Sequence, residues 1–202
     1  MRRLLLLLAV GCGGPAAVPR EDRTGQPAYT PVPFRDDAPT QPPPPDFPTD
    51  YVDADGRPVD LTTYRGRPVV LVVLRGVPRE YGGGFCPSCL AQAGSLMANR
   101  AEFDARKAAV LVVFPGPSDR LGEFVRAARQ QAPGEPQLTF PLLLDREARA
   151  VSRLGIAADL ARPSTYVLDS GGRVVYAYVG QTSTDRPSVK VVLKQLDGLP
   201  TP

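Results

Sequence analysis

Two uninterrupted apolar runs constrain this chain more than any other feature. Val69-Val70-Leu71-Val72-Val73-Leu74 and Ala109-Val110-Leu111-Val112-Val113-Phe114 contain no polar residue, and β-branched side chains dominate both. A strand with one face in water alternates apolar and polar residues, whereas a continuous apolar run needs cover on both faces. Between the two runs, Leu90, Leu96, Met97 and Phe103 recur at helical spacing. Buried strands alternating with helices predict an α/β domain of three layers, a mixed central sheet flanked by helices.

The same alternation continues along the chain. Asp53-Ala54-Asp55-Gly56 reads as a turn near the start of the domain, followed by an extended Pro58 to Leu61. After the second run, Pro115-Gly116-Pro117 stops the strand, and Ser118 or Asp119 can N-cap a helix carrying Leu121, Phe124, Val125 and Ala128. Phe140 to Leu144 reads as a strand, and Asp145 opens a helix that Gly155 closes. Thr165 to Leu168 and Arg173 to Val179 are hairpin partners across the turn Asp169-Ser170-Gly171-Gly172. A last amphipathic helix runs from Pro187 to Leu196.

Between the first long strand and its helix lies Phe85-Cys86-Pro87-Ser88-Cys89. Cysteines spaced i, i+3 share one face of a helical turn. A disulfide closing so short a loop stabilises a fold by only about 2 kcal/mol on the chain-entropy estimate, a poor return for a structural clamp. The pair is better placed to cycle between dithiol and disulfide. At a helix N-terminus Cys86 gains from unpaired amides and the helix dipole, which favour thiolate, the nucleophilic form. Cys89, one turn inside, is the thiol that resolves a mixed disulfide at Cys86. Pro87 fits the first turn, where its missing N–H would be unpaired anyway. Phe85 reads as a packing residue shielding the sulfurs. A structural disulfide or two buried free thiols is the plainer alternative.

Composition removes other chemistries. The chain of 202 residues contains no His, so Ser-His and Cys-His nucleophiles and imidazole metal sites cannot be built. Two thiolates alone fall short of the three or four ligands zinc needs, and no metal or cofactor is expected. The net charge of +3 is small and the basic residues are scattered, so nucleic acid is not an expected partner.

The third cysteine belongs to the N-terminus. Met1-Arg2-Arg3 is a positive start, and the apolar run Leu4 to Val10 ends at Gly11-Cys12. So short a run cannot span a bilayer, which takes about 20 residues. Leu8-Ala9-Val10-Gly11-Cys12 is similar to a bacterial lipobox, which would make residues 1–12 a lipoprotein signal and Cys12 the lipid anchor. Residues 13–48, with Pro42 to Pro45 consecutive, read as a disordered proline-rich tether, and residues 49–199 as the folded domain. The expected location is the bacterial cell envelope, with membrane contact through the anchor.

This order of elements, with Cys-x-x-Cys at a strand-to-helix junction, resembles the thioredoxin fold. The closer resemblance is to its AhpC/TSA branch, which holds peroxiredoxin-like and TlpA-like proteins. It rests on Leu61 to Gly66, on Leu74-Arg75-Gly76 followed by Phe85-Cys86-Pro87-Ser88-Cys89, on Phe140-Pro141-Leu142-Leu143-Leu144-Asp145 and on Thr165 to Gly172. The resemblance implies a thiol-dependent oxidoreductase with Cys86 and Cys89 at its centre. Its substrate would be a protein disulfide or dithiol, or a small peroxide, and an external thiol would supply electrons. It also implies a cis-proline at Pro163 facing the cysteines, with Arg162 offering charge to a substrate beside Phe85 and Pro87.

Three departures bear on the reaction. Peroxiredoxins carry Thr three residues before the attacking cysteine, where this chain has Gly83, and an Arg at the position of Pro163. Both changes favour disulfide exchange over peroxide reduction. The acid that assists the second cysteine of thioredoxin has no counterpart in Pro68 to Leu74. A thiol peroxidase using the same cysteines, and a non-catalytic binding module that keeps the fold, are the alternative functions.

Overall fold

The computed structural model describes residues 34–77, 83–134, 136–145 and 147–200. The signal, Cys12 and residues 13–33 of the expected tether lie outside them. The two apolar runs form β3 (Val69–Val73) and β4 (Ala109–Phe114), parallel neighbours in which every residue is buried. On the other side of β3 runs β6 (Ser164–Leu168), antiparallel, followed by its hairpin partner β7 (Val174–Val179). On the other side of β4 come β5 (Leu142–Leu144), β1 (Asp50–Asp53) and β2 (Pro58–Asp60). The seven-stranded mixed sheet has the order β2-β1-β5-β4-β3-β6-β7.

The pleat sorts β3 between two cores. Val70, Val72 and Leu74 face one layer together with Cys86, Cys89, Phe103, Phe114 and Phe124. Val69, Leu71 and Val73 face the other, with Val151, Leu154, Ile156 and Tyr166. Each fully buried Val or Leu contributes roughly 1.5–3 kcal/mol, which makes the central strands a rigid base for whatever their ends carry.

The first layer holds α1 (Pro87–Ala98), α2 (Arg100–Ala105), α3 (Leu121–Arg129) and α5 (Val189–Asp197). The helical spacing from Leu90 to Phe103 predicts one helix, but the chain forms two, broken at Asn99. The Asn99 side-chain amide donates to the Ser95 carbonyl at 2.8 Å, a local bond that competes with helix continuation. The helix after Asp145 also starts later than the sequence predicts, as α4 (Arg149–Arg153). Neither Ser118 nor Asp119 caps α3; Ser118–Arg120 forms a 3₁₀ turn leading into it. Ser188 does cap α5, its hydroxyl accepting from the Val191 amide. Among the described residues no helix is long and apolar enough to cross a membrane.

Residues 34–48, assigned to the tether on composition, lie against the domain instead. The Gln41 amide donates to the Ala177 carbonyl at 2.7 Å, and the Tyr176 hydroxyl to the Ala38 carbonyl at 3.2 Å. Ala38 is buried, and Phe47 meets Tyr166 edge-on at 5.1 Å. Proline-rich chain makes few hydrogen bonds with itself, so its carbonyls and amides stay free for another surface; here β7 supplies it.

Candidate active site

The end of β3 and the start of α1 bring the two cysteines together. Cys86 is the N-cap residue of α1, in extended conformation, with Pro87 in the first turn. Its carbonyl accepts the amides of Cys89 at 2.9 Å and Leu90 at 3.1 Å. Both sulfurs are reduced and covered, Cys86 being 0% and Cys89 1% exposed. Pro87 itself is exposed.

The two thiols differ sharply in acidity. The Cys86 thiol is lowered to about 5, first by the hydrogen bond it receives from Cys89, then by the backbone amide of Cys89, the charge of Arg186 and the Ser88 amide; burial opposes this. Cys89 moves the other way. Full burial pushes it well above the ordinary thiol range, and so does giving its hydrogen bond to Cys86, while Arg186 pulls it down. These opposed shifts favour the negative charge on Cys86 and the proton on Cys89.

Arg186 is the residue that sequence reasoning missed. It is 1% exposed, and its Nη2 donates to Cys89 Sγ at 3.1 Å. Its Nε donates to the Ser183 carbonyl at 2.8 Å, and its Nη1 bonds Oε1 of the buried Gln92. The Arg75 amide also points at Cys89 Sγ, at 3.4 Å. Arg186 is one of 24 Lys and Arg residues, and nothing in its neighbours Asp185 and Pro187 marks it as buried. The only cue was its place directly before the last helix.

Phe85 is half-buried and packs edge-on against Phe124 at 5.4 Å and Phe114 at 6.4 Å. Gly83 holds φ at +82°. A β-branched residue is a true outlier in that region, so the backbone explains why Thr does not stand there. Arg162 and Pro163 precede β6, alongside the end of β3: Val73 pairs with Ser164, and the Ala161 amide donates to the Arg75 carbonyl at 3.3 Å. Arg162 is exposed, and the cation bonded to Cys89 Sγ is Arg186. The peptide bond before Pro163 is trans, not cis, and the Pro163 carbonyl accepts the Gly180 amide at 2.8 Å. That bond ties the end of β7 to the start of β6. No cluster of three or more His, Cys, Asp or Glu side chains able to hold a metal occurs among the described residues.

Solved structures share this architecture. The peroxidoxin BcpB of Mycobacterium tuberculosis superposes with a TM-score of 0.57 at 20% identity, over 79% of this chain and 95% of that one. A cysteine-to-serine mutant of the peroxiredoxin 6 of Arenicola marina gives 0.66 at 11% identity, over 78% and 72%. Peroxiredoxin Q of Xanthomonas campestris gives 0.56 at 20% identity, over 80% and 97%. At such identities the likeness is one of fold, α/β and thioredoxin-like. No curated protein matches the chain. The AhpC/TSA family model matches residues 41–177, from the segment along β7 through the cysteine pair to β7 itself. With more than half its length matched, this chain belongs to the AhpC/TSA family.

Proposed function

We propose that the protein is a thiol–disulfide oxidoreductase in which Cys86 attacks and Cys89 resolves. The observation that supports this most is the opposed acidity of the pair. Cys86 holds the negative charge at a helix N-terminus, and Cys89 keeps its proton behind it. The Cys86 thiolate attacks one sulfur of a substrate disulfide and expels the other as thiolate. Cys89 then attacks Cys86 Sγ, closing the Cys86–Cys89 disulfide and releasing the substrate's second thiol. An external thiol returns the pair to its reduced state. Gly83, with no hydroxyl to hold a peroxide, favours this reading. Insulin reduction by the purified protein tests it: Cys86→Ser is expected to abolish turnover, and activity at the wild-type rate in that variant would refute it.

A peroxide reaction is the second reading, favoured by the complete burial of Cys86. A small electrophile reaches a covered sulfur more readily than a protein disulfide does. Stopped-flow mixing of reduced protein with hydrogen peroxide separates the two, because a peroxidase oxidises far faster than a free thiol. An unreactive pair in native-state thiol titration would leave only a binding role. As part of this proposal the chain is anchored in the cell envelope through a lipid on Cys12. Incorporation of labelled palmitate, lost in Cys12→Ala, is the expected result.

A further inference from the structure

We infer that Arg186 is a catalytic residue, held in place by the segment around Arg35, that stabilises the charge Cys89 must carry when it resolves the mixed disulfide. This rests on the function proposed above and adds a residue beyond 177, where the family match ends.

The argument starts from the cost of burying a cation. A guanidinium taken out of water is expensive unless a counter-charge or a full set of hydrogen bonds compensates it. The partners of Arg186 are the Cys89 sulfur, the Gln92 amide oxygen and the Ser183 carbonyl. Among the described residues none of these is a carboxylate. The neighbouring Asp185 carboxylate is taken by the Tyr178 hydroxyl at 2.6 Å and the Gln181 amide at 2.8 Å, and lies 3.7 Å from Arg35. Of the three partners, only the sulfur can become an anion.

The main chain on either side of Arg186 is bracketed by the segment along β7. The Arg35 amide donates to the Arg186 carbonyl at 2.8 Å, and the Ser188 amide donates to the Arg35 carbonyl at 2.9 Å. The guanidinium is thus fixed at both ends, by Ser183 and Gln92 at the head and by Arg35 at the backbone.

In the resolving step the Cys89 S–H bond breaks. Its proton passes to the thiolate expelled in the first step, and its electron pair forms the bond to Cys86 Sγ. The bond from Cys86 to the substrate sulfur breaks with its pair on that sulfur. Cys86 and Cys89 together lose two electrons, and the substrate disulfide gains them as one thiol and one thiolate. Negative charge stands on Cys89 only between proton loss and bond formation, and Arg186 is 3.1 Å away. β3 carries no acid beside the pair, and a cation stabilises the anion.

The test uses the full chain with dithiobis-nitrobenzoate, an aromatic disulfide that releases one coloured thiol at Cys86 attack and a second at Cys89 resolution. Buffer is set well above the pH at which Cys86 ionises. In Arg186→Gln the first phase is expected to stay within about three-fold of wild type while the second slows about ten-fold or more. Arg186→Lys, which keeps the charge, is expected to restore most of the second phase. Arg35→Pro, which removes one bracketing N–H, is expected to slow the second phase in the same sense and covers the case where Arg186→Gln does not fold. Equal slowing of both phases, or an unchanged second phase in Arg186→Gln, overturns the inference and leaves the proposed function standing. A wild-type protein that releases no coloured thiol overturns both.

Discussion

The guanidinium of Arg120 lies over the Phe85 ring, 5.0 Å from its centroid, and also donates to the Gly83 carbonyl at 2.8 Å. One side chain from the turn before α3 therefore fixes both the residue beside Cys86 and the left-handed glycine before it. Arg120→Ala is expected to lower stability by about 1–2 kcal/mol, the sum of a stacked cation and a hydrogen bond. It should also speed Cys86 alkylation, because Phe85 loses its cover. Denaturant midpoints and iodoacetamide rates measure the two effects; an unchanged alkylation rate would mean that Phe85 is held by Phe114 and Phe124 alone.

Because Cys86 is lowered to about 5, thiolate absorbance is expected to rise through a single step near that pH and to vanish in Cys86→Ser. The folded value lies below that of an unfolded thiol, about 8.5. The ionised Cys86 thus contributes stability that is fully present above the unfolded value and is lost as pH falls through the folded one. The reduced protein should therefore gain stability on Cys86's account between those two values. Cys86→Ser should flatten that slope; a slope that persists unchanged in Cys86→Ser would mean that a group other than Cys86 carries it.

A stabilised thiolate also favours the reduced state over the disulfide. Glutathione equilibration is expected to give a potential above the roughly −270 mV of thioredoxin, toward the roughly −120 mV of a strong oxidant. A value below thioredoxin's would contradict the acidity of Cys86.

Gly180 leaves no room for a side chain. A Cβ built on it would stand 1.9 Å from the Asp185 carbonyl oxygen and 3.0 Å from Pro163 Cγ. Gly180→Ala must push apart the turn that carries Asp185 and Arg186, so it is expected to cost about 2–4 kcal/mol. The slowing of Cys89 resolution should accompany the fall in melting temperature. A variant with wild-type stability would show that this turn yields freely.

Asp145 is 7% exposed, and its carboxylate accepts the amides of Ala150 at 3.1 Å and Val151 at 2.9 Å. It closes the N-terminus of α4 from the end of β5, reaching across the turn rather than sitting at the cap position. Asp145→Ala is expected to cost about 1–2 kcal/mol, as loss of a helix cap does, with thiol reactivity unchanged. Thermal unfolding and a thiol assay on the same sample check both halves.

The frame of the fold was legible because its causes are local. Val69 to Leu74 and Ala109 to Phe114 announce burial on two faces by composition alone, and Pro87 with the i, i+3 cysteines announces a helix start. The break at Asn99 was not legible, since it depends on which of two competing bonds one side chain makes. The cation at Cys89 was hidden for a different reason. The resemblance supplied a position in the chain, whereas the charge reaching Cys89 comes from a loop 97 residues away in sequence. Burial of an arginine is a tertiary fact that no periodicity records. The ordered course of residues 34–48 was hidden likewise, because a proline-rich composition reports the lack of internal bonding and says nothing of bonding to a neighbour.

Gln41 has one more consequence. Its side-chain amide donates to the Val179 carbonyl at 3.3 Å and accepts the Val179 amide at 3.0 Å, as a backbone peptide in an adjoining strand would. Thr40 accepts the Ala177 amide and the Gln41 main chain binds the Ala177 carbonyl. β7 is the last strand of the sheet, and an open outer strand is a template on which other chains can add. Here the polar groups of residues 177 and 179 are already paired within the chain. The segment therefore seals that margin against strand-by-strand association, so losing it would expose the protein to aggregation as well as loosen Arg186.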